Sequence, residues 1–600
     1  MKKRTFPLLV VSALMLCGCS SSNVNLDENN YDTDPISGIS DDGVANDYDS
    51  DYTKDSDVEI PSSFDSFSDN TISAAGHYYL KGEYPSISIT ASKNSEVYIY
   101  LDGVSISSSS GIAFGSSYAI KLYVVLLNNS VNTIENDFLD TNAFHVKGYV
   151  HIQGSGSLNI TSKQKSALKV SKDLFINDIT LNVNGAAHGI TAQSVTIDGA
   201  NISSIAIKDG IQAESSDNTT YNDAEGFVKL INTKYTANTN GDGIQADTYV
   251  YVSGGEQNIK TIGEFVSYST SNMETYGLST DDFKFVKSGS TYKRVAKDEI
   301  HYLSSSYYAL ANSVKGIKAG ALEYDSNSDG VEDTVVTTNA DYRIGIAHGA
   351  KLTVDSFDDC VHTNYGKVDL LRANLTLSTL DDGVHADYNL NINNASIVIN
   401  SSYEGLEGAN VTIDGSETNI VSNSDDDGIN AASDLVSQTN ITINDGYLRV
   451  YASGDGLDAN TSLIFNGGRT VVEGPGSGNG SLDSDLVKFN GGIVFACSTS
   501  GMTEQMSATQ ATFVYQGSTF SSGALIAITL GSDTENPLFS YTLKQSCNQI
   551  IFSHPSLKQG STYSIYNGSS SSASITMSST LTKVGSSQGG PGGGGGHGPR

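Results

Sequence analysis

The 600-residue chain has no Trp, only 9 Pro and only 17% charged residues. Without indoles, the usual platforms for stacking on neutral sugars are missing. So little charge disfavours a disordered polyelectrolyte or a coiled coil, and 60 Gly beside so few Pro disfavour collagen. Basic residues are scarce too, 34 against 67 acidic ones, for a formal net charge of −33. Nucleic acid and anionic membrane surfaces are therefore poor partners, and cations are good ones. Of the 5 Cys, Cys17 and Cys19 lie at the amino end, leaving Cys360, Cys497 and Cys547. An odd count forms no complete disulfide framework, and no spacing suits zinc; pairing of Cys497 with Cys547 stays open.

The two ends read as address and spacer. Lys2, Lys3 and Arg4 precede an apolar stretch over 6–16, which marks 1–18 as a secretion signal rather than a membrane span. Leu16-Cys17-Gly18-Cys19 resembles a bacterial lipobox, which implies that Cys19 is lipidated and that the protein is extracytoplasmic, anchored to a bacterial membrane at the cell surface. Residues 19–60 are acidic without an apolar period and read as an extended tether, and the Ser- and Gly-rich stretch 569–600 reads as a flexible tail.

Between the ends, short alternating β-branched runs such as Ile397-Val398-Ile399 and Ile441-Thr442-Ile443 are strand signals. They are punctuated by a five-residue signature: an acid, Gly, a branched aliphatic, a polar residue and a small residue. Clear copies are Asp382-Gly383-Val384-His385-Ala386, Glu404-Gly405-Leu406-Glu407-Gly408, Asp427-Gly428-Ile429-Asn430-Ala431 and Asp455-Gly456-Leu457-Asp458-Ala459. Asp209 and Asp242 head upstream copies, Asp359-Cys360-Val361-His362-Thr363 is a variant, and Lys315 stands where another copy expects an acid. A period of about 22 residues without a helical pattern predicts an all-β fold, a right-handed parallel β-helix with one repeat per coil. Leucine-rich repeats share the period, but their Leu spacing and Asn ladder are absent. The aliphatic and small residues should point into the core, the polar one out, and Gly should permit the corner backbone. The helix is expected over 61–492, opening at 71–127 and interrupted by a Tyr-rich insertion at 255–349. Residues 493–568 are expected to form a closing β module.

Equivalent residues of successive coils lie about 4.8 Å apart. A column of Asp359, Asp382, Glu404, Asp427 and Asp455 then carries about 3.5 kcal/mol of repulsion per neighbouring pair at an effective dielectric near 20. Solvent screening, protonation or a bound divalent cation would relieve it. The flanking acids Asp358, Asp381, Asp387, Asp425, Asp426, Asp483 and Asp485 are expected at the same corner, and such oxygen-only donors suit calcium. The alternative is a solvated row of Asx turns. A separate loop with Asp325, Asn327, Asp329 and Asp333 has the first half of an EF-hand ligand pattern but no Glu at its twelfth position.

The coils Asp381-Asp382-Gly383-Val384-His385-Ala386-Asp387 and Asp425-Asp426-Asp427-Gly428-Ile429-Asn430-Ala431, with Leu101-Asp102-Gly103-Val104 upstream and Gly560-Ser561-Thr562-Tyr563 near the end, resemble a bacterial family of calcium-binding, carbohydrate-binding β-helix surface proteins. The resemblance covers about 60–568. It implies a pectate-lyase-like β-helix, calcium as cofactor, and an acidic polysaccharide such as polygalacturonate as partner. On an anionic protein, calcium would bridge to the sugar carboxylates. The expected metal residues add Glu407 and Asp458 to the acids named above, and His362, His385 and Asn430 are the expected ligand contacts. A lyase on this scaffold needs a base, usually Lys or Arg, near the calcium. Residues 373–448 contain neither, so binding without catalysis is the expectation, with a lyase or a structural adhesin as alternatives. Lys315, Lys318, Arg343 and Lys367 read as surface charges.

Overall fold

The computed structural model describes residues 58–585, apart from 270–272, 274–278, 280–282, 296–299, 301–305, 328–331, 333, 476–478 and 500–504. Cys19, Asp329 and Asp333 thus lie outside the described residues.

The chain forms the expected right-handed parallel β-helix. Each coil supplies three strands. The last three signature residues make the first of them, and Ile190–Ala192, Ile211–Ala213, Ile244–Ala246, Ile317–Ala319 and Val361–Thr363 stack in parallel and in the predicted register. The stack continues through the starts of Val384–Asn393 and Leu406–Asp414 to Ile429–Ala431, Leu457–Ala459 and Leu482–Ser484. We call this the signature sheet. A middle sheet contains Tyr249–Ser253, Tyr342–Ala347 and Gly366–Leu371, and a return sheet contains Glu256–Thr261, Lys351–Asp355 and Asn374–Ser378. Aliphatic residues such as Ile211, Val384 and Leu457 and small ones such as Ala213 and Ala459 fill one continuous apolar column between the sheets. The opening region is already solenoid, since Thr71–Ile72, Ile87–Ile89 and Phe114–Ser116 stack in the signature sheet.

Two boundaries differ from expectation. Glu256–Thr261, Ile317–Ala319 and Tyr342–Ala347 are solenoid strands, so 255–349 holds two excursions rather than one. The first is an antiparallel sheet of Phe265–Ser269, Phe285–Ser288, Thr291–Arg294 and Ser306–Leu310; the second is the hairpin of Glu323–Tyr324 with Thr334–Val335. The signature copy headed by Lys315 is the coil between them. At the other end, Ile493–Ser498 is still a parallel return strand on Arg469–Glu473, and its free edge turns antiparallel to Cys547–Ser553. The closing module extends past 568, because Ser570–Thr576 pairs with Thr562–Asn567 and Leu581–Val584 with Thr512–Phe520. Residues 569–585, read as tail from their Ser content, are held by Ile575 and Met577, both fully buried in the module's own core.

Candidate functional site

The acids of the signature form the predicted column, but it is not a solvated corner. Asp359, Asp382, Glu404, Asp427 and Asp455 expose only 3, 3, 4, 8 and 5% of their surface. Screening by water is therefore small, and much of the stabilisation comes from the backbone. Asp209 Oδ1 accepts the N–H of Asp242 (2.8 Å), and Asp242 Oδ1 that of Lys315 (2.7 Å). Asp359 accepts from Asp382 (3.0 Å), Asp382 from Glu404 (3.3 Å), Asp427 from Asp455 (2.6 Å) and Asp455 from Gly480. Each carboxylate caps the residue in its own place one coil on. Glu404, one methylene longer, turns instead to Asn430 Nδ2 (3.0 Å). The signature Gly is needed for clearance rather than for a left-handed backbone: a Cβ on Gly428 would lie 2.5 Å from the Gly456 carbonyl and 2.1 Å from Val450.

Around Asp359 to Glu407 the column is also paired with cations, some from distant sequence. Lys315, expected at the surface, lies over the column with Nζ 3.0 Å from Asp358 and 2.5 Å from Asp359. The first excursion brings Arg294 Nη1 onto Asp381 and within 2.8 Å of Asp382 Oδ1, its guanidinium 4.0 Å from the centre of the Tyr403 ring. Lys284 reaches Asp381 (3.4 Å). Sequence reasoning missed Arg294, Lys284 and Tyr403; nothing in the local sequence marks them. Of the other three basic residues considered, Arg343 pairs with Asp341, as does Lys367 at 3.5 Å, and Lys318 stands between Gln245 and His362 in the signature sheet.

The histidines sit inside this network. His362 Nδ1 lies 2.7 Å from Asp359, and His385 lies 3.3, 3.1 and 2.8 Å from Asp382, Asp387 and Glu407. Their rings are 4.6 Å apart. Burial and Lys315 hold His362 below its ordinary pKa, whereas three carboxylates, Glu407 foremost, overcome burial and hold His385 well above. Burial disfavours ionised Asp382, but Arg294 and His385 together outweigh it and bring the pKa to about 2; burial and Asp382 together push neighbouring Asp381 well up. Lys315 and His362 likewise overcome burial to hold Asp359 well below the usual range.

Farther down, the surroundings become all-oxygen. Burial, then Asp426, Asp458 and Asp455, push Asp427 well above the carboxylate range, against only the Asp455 N–H. Asp458 and Asp483 occupy adjacent outward positions of the signature sheet. Glu404 is raised by burial, Glu407, Asp382 and Asp427. By calcium's preference for oxygen ligands, Asp426, Asp427, Asp455, Asp458 and Asp483 offer the right donor atoms, while the groups whose ligand atoms converge within 4.8 Å among the described residues lie elsewhere, at Asp358, Asp359 and Asp381, at Asp359, His362 and His385, and at Asp382, His385 and Glu407, where Lys315 and Arg294 already pair with the carboxylates.

Three expectations change. Asp387 and Asp485 follow the signature strand instead of preceding it, so they occupy its opposite edge; Asp387 accepts the Tyr365 N–H (2.7 Å) and Asp485 is exposed. His362 and Asn430, expected to touch a ligand, are each only 9% exposed because their partners cover them. Asp325 and Asn327 lie in the second excursion, which leaves its coil after Ile317–Ala319, at the end of the signature strand opposite the acid position.

The chain matches the profile of one family, described as carbohydrate-binding domain-containing protein, over residues 67–383 and 372–534. It belongs to that family. The matched span covers nearly the whole solenoid and part of the closing module. No curated protein sequence matches the chain. Among solved structures, the polysaccharide lyase-like protein from C. thermocellum, a gadolinium derivative, aligns at 20% identity over 33% of this chain and 83% of its own, with a TM-score of 0.29.

Proposed function

We propose that this carbohydrate-binding protein is a non-catalytic, lipid-anchored surface protein that holds acidic polysaccharide of the polygalacturonate type through calcium. The single observation behind this reading is the oxygen-only sector: Asp427 is buried among Asp426, Asp455 and Asp458, with Asp483 on the next coil, in a region where the sequence from 373 to 448 supplies no Lys or Arg. Calcium bound there would supply two positive charges and coordination positions for sugar carboxylates. The chain's own residues do the rest. Asp427 and Asp455 are each oriented by a backbone N–H group on one carboxylate oxygen, while Asp458 and Asp483 form an outward pair one coil apart. Retention on immobilised polygalacturonate should vanish in EGTA and fall at least about tenfold, or about 1.4 kcal/mol, in Asp458→Asn. Retention undiminished by chelator sinks the proposal.

A second reading is favoured by one observation. Arg294 stands on Asp382 next to the two histidines, which titrate in opposite directions, and a uronate lyase needs a base beside its carboxylate-bound cation. Rising absorbance from unsaturated products when polygalacturonate is added would establish that reading and remove the non-catalytic one.

A further inference from the structure

The middle sheet continues from Gly366–Leu371 through the far ends of Val384–Asn393 and Leu406–Asp414 to Asn440–Ile443, Ser462–Phe465 and Val487–Phe489. Its inward residues here, Val411, Ile441, Leu463 and Val487 among them, belong to the apolar column. The alternate residues face out and line a groove of about 470 Å³, a size that suits a small ligand. Asn410, Asn440 and Ser462 form one row of it and are already tied together: Asn440 Nδ2 donates to Asn410 Oδ1 (3.0 Å) and the Ser462 hydroxyl to Asn440 Oδ1 (2.5 Å). Thr412, Thr442, Ile464 and Lys488 form the other row. No carboxylate lines the groove, although the chain has 67 acidic residues. The Thr412 and Thr442 hydroxyls and the half-buried Lys488 amine make no hydrogen bond or ion pair to another described residue. Hydroxyls and amides both donate and accept, as sugar hydroxyls do, and Ile464 offers an apolar patch to the C–H groups of a sugar ring.

We propose that this groove is a calcium-independent subsite for a uronic acid residue of a polysaccharide: Lys488 Nζ takes the sugar carboxylate, and Thr412 and Thr442, with the amide row opposite, take sugar hydroxyls. The carbohydrate class follows from the family, the carboxylate from the one basic side chain in a lining without acids. The subsite shares its coils with Asp427, Asp455 and Asp483 but lies on a different sheet, and it does not rest on the calcium reading. One lysine and neutral hydrogen bonds hold a sugar weakly. Short soluble chains therefore occupy the groove at concentrations on the order of 1 mM, and a polymer column still loses the protein when calcium is removed.

Ligand-observed NMR titration of the full chain with trigalacturonate in EGTA tests it. The acid form should bind, and its fully methyl-esterified form, which keeps the ring hydroxyls and lacks the charge, should bind at least about tenfold more weakly. Lys488→Gln should weaken the acid form by the same factor and leave the ester where it was, and Lys488→Arg should restore most of the binding. Thr442→Val, which keeps the shape and drops the hydroxyl, should weaken both forms. Equal binding of acid and ester, no effect of Lys488→Gln, or trigalacturonate binding that appears only with calcium overturns the subsite. The two proposals fail separately. Polymer retention undiminished by EGTA removes the calcium reading, whereas trigalacturonate binding in EGTA that Lys488→Gln abolishes establishes the groove whatever the column shows.

Discussion

Asp427 illustrates how one carboxyl is needed for two reasons. Its oxygen caps the next coil, and its charge is costly where it sits. Because its folded pKa is raised, its ionisation takes stability away as pH climbs from the unfolded value near 4. Asp427→Asn keeps the acceptor and removes the charge. In EGTA at neutral pH this variant should melt a few degrees higher than the wild type, and in excess calcium it should melt lower; thermal scans of both proteins in both buffers check the crossover. Asp382 has the opposite sign. Its pKa is depressed to about 2, so its stabilising effect is complete above the unfolded pKa near 4 and lost as pH falls through about 2. Asp382→Asn should cost on the order of 3 kcal/mol at neutral pH, the scale of breaking a buried pair. The gap between the two proteins should close in acid denaturation between those pH values.

At the scale of elements, the junction between solenoid and closing module depends on one buried acid. Glu473, at the end of a return strand, accepts the Tyr541 hydroxyl at 2.6 Å and the N–H groups of Lys544 and Gln545 at 2.8 and 2.9 Å. Glu473→Ala leaves these three donors without their acceptor, a loss of about 3 kcal/mol. The module should then melt ahead of the solenoid, visible in calorimetry as a separate early transition. The stacking of these elements was legible in the sequence, because a signature recurring once per coil fixes both register and inward face. The cations were not. Arg294 lies 88 residues from Asp382, and only the folding back of an inserted hairpin joins them. The strand at 570–576 was half legible: Ile575 and Met577 alternate as a strand should, but the Ser-rich composition around them reads as linker. Burial of the acidic column was illegible for another reason, since Asp-Gly is equally a solvent turn, and only the backbone ladder distinguishes the two.

The whole chain carries a large negative charge, and the acids that tolerate it least share one edge of the solenoid. Without calcium, mutual repulsion should make the melting temperature rise as NaCl is increased from low to physiological ionic strength. With calcium saturating, the same series should be flatter; a salt dependence identical in both buffers would mean that no ion neutralises the column. Chelator and salt together thus measure the electrostatics of the intact chain, as the single substitutions measure its parts.

The chain of capped carboxylates also has a direction and a count. Asp209 and Asp242 hand on to Lys315, Asp359 and Asp382 to Glu404, and Asp427 and Asp455 to Gly480. Three times, two aspartates are followed by a residue that does not pass the bond onward in kind: an amine, a longer acid, and no side chain at all. These nine coils are thereby divided into triplets. A copied coil can join a triplet wherever an aspartate precedes it, but one added after Gly480 would meet no donor-hungry oxygen. Growth by duplication is open in the interior and closed at the carboxyl end.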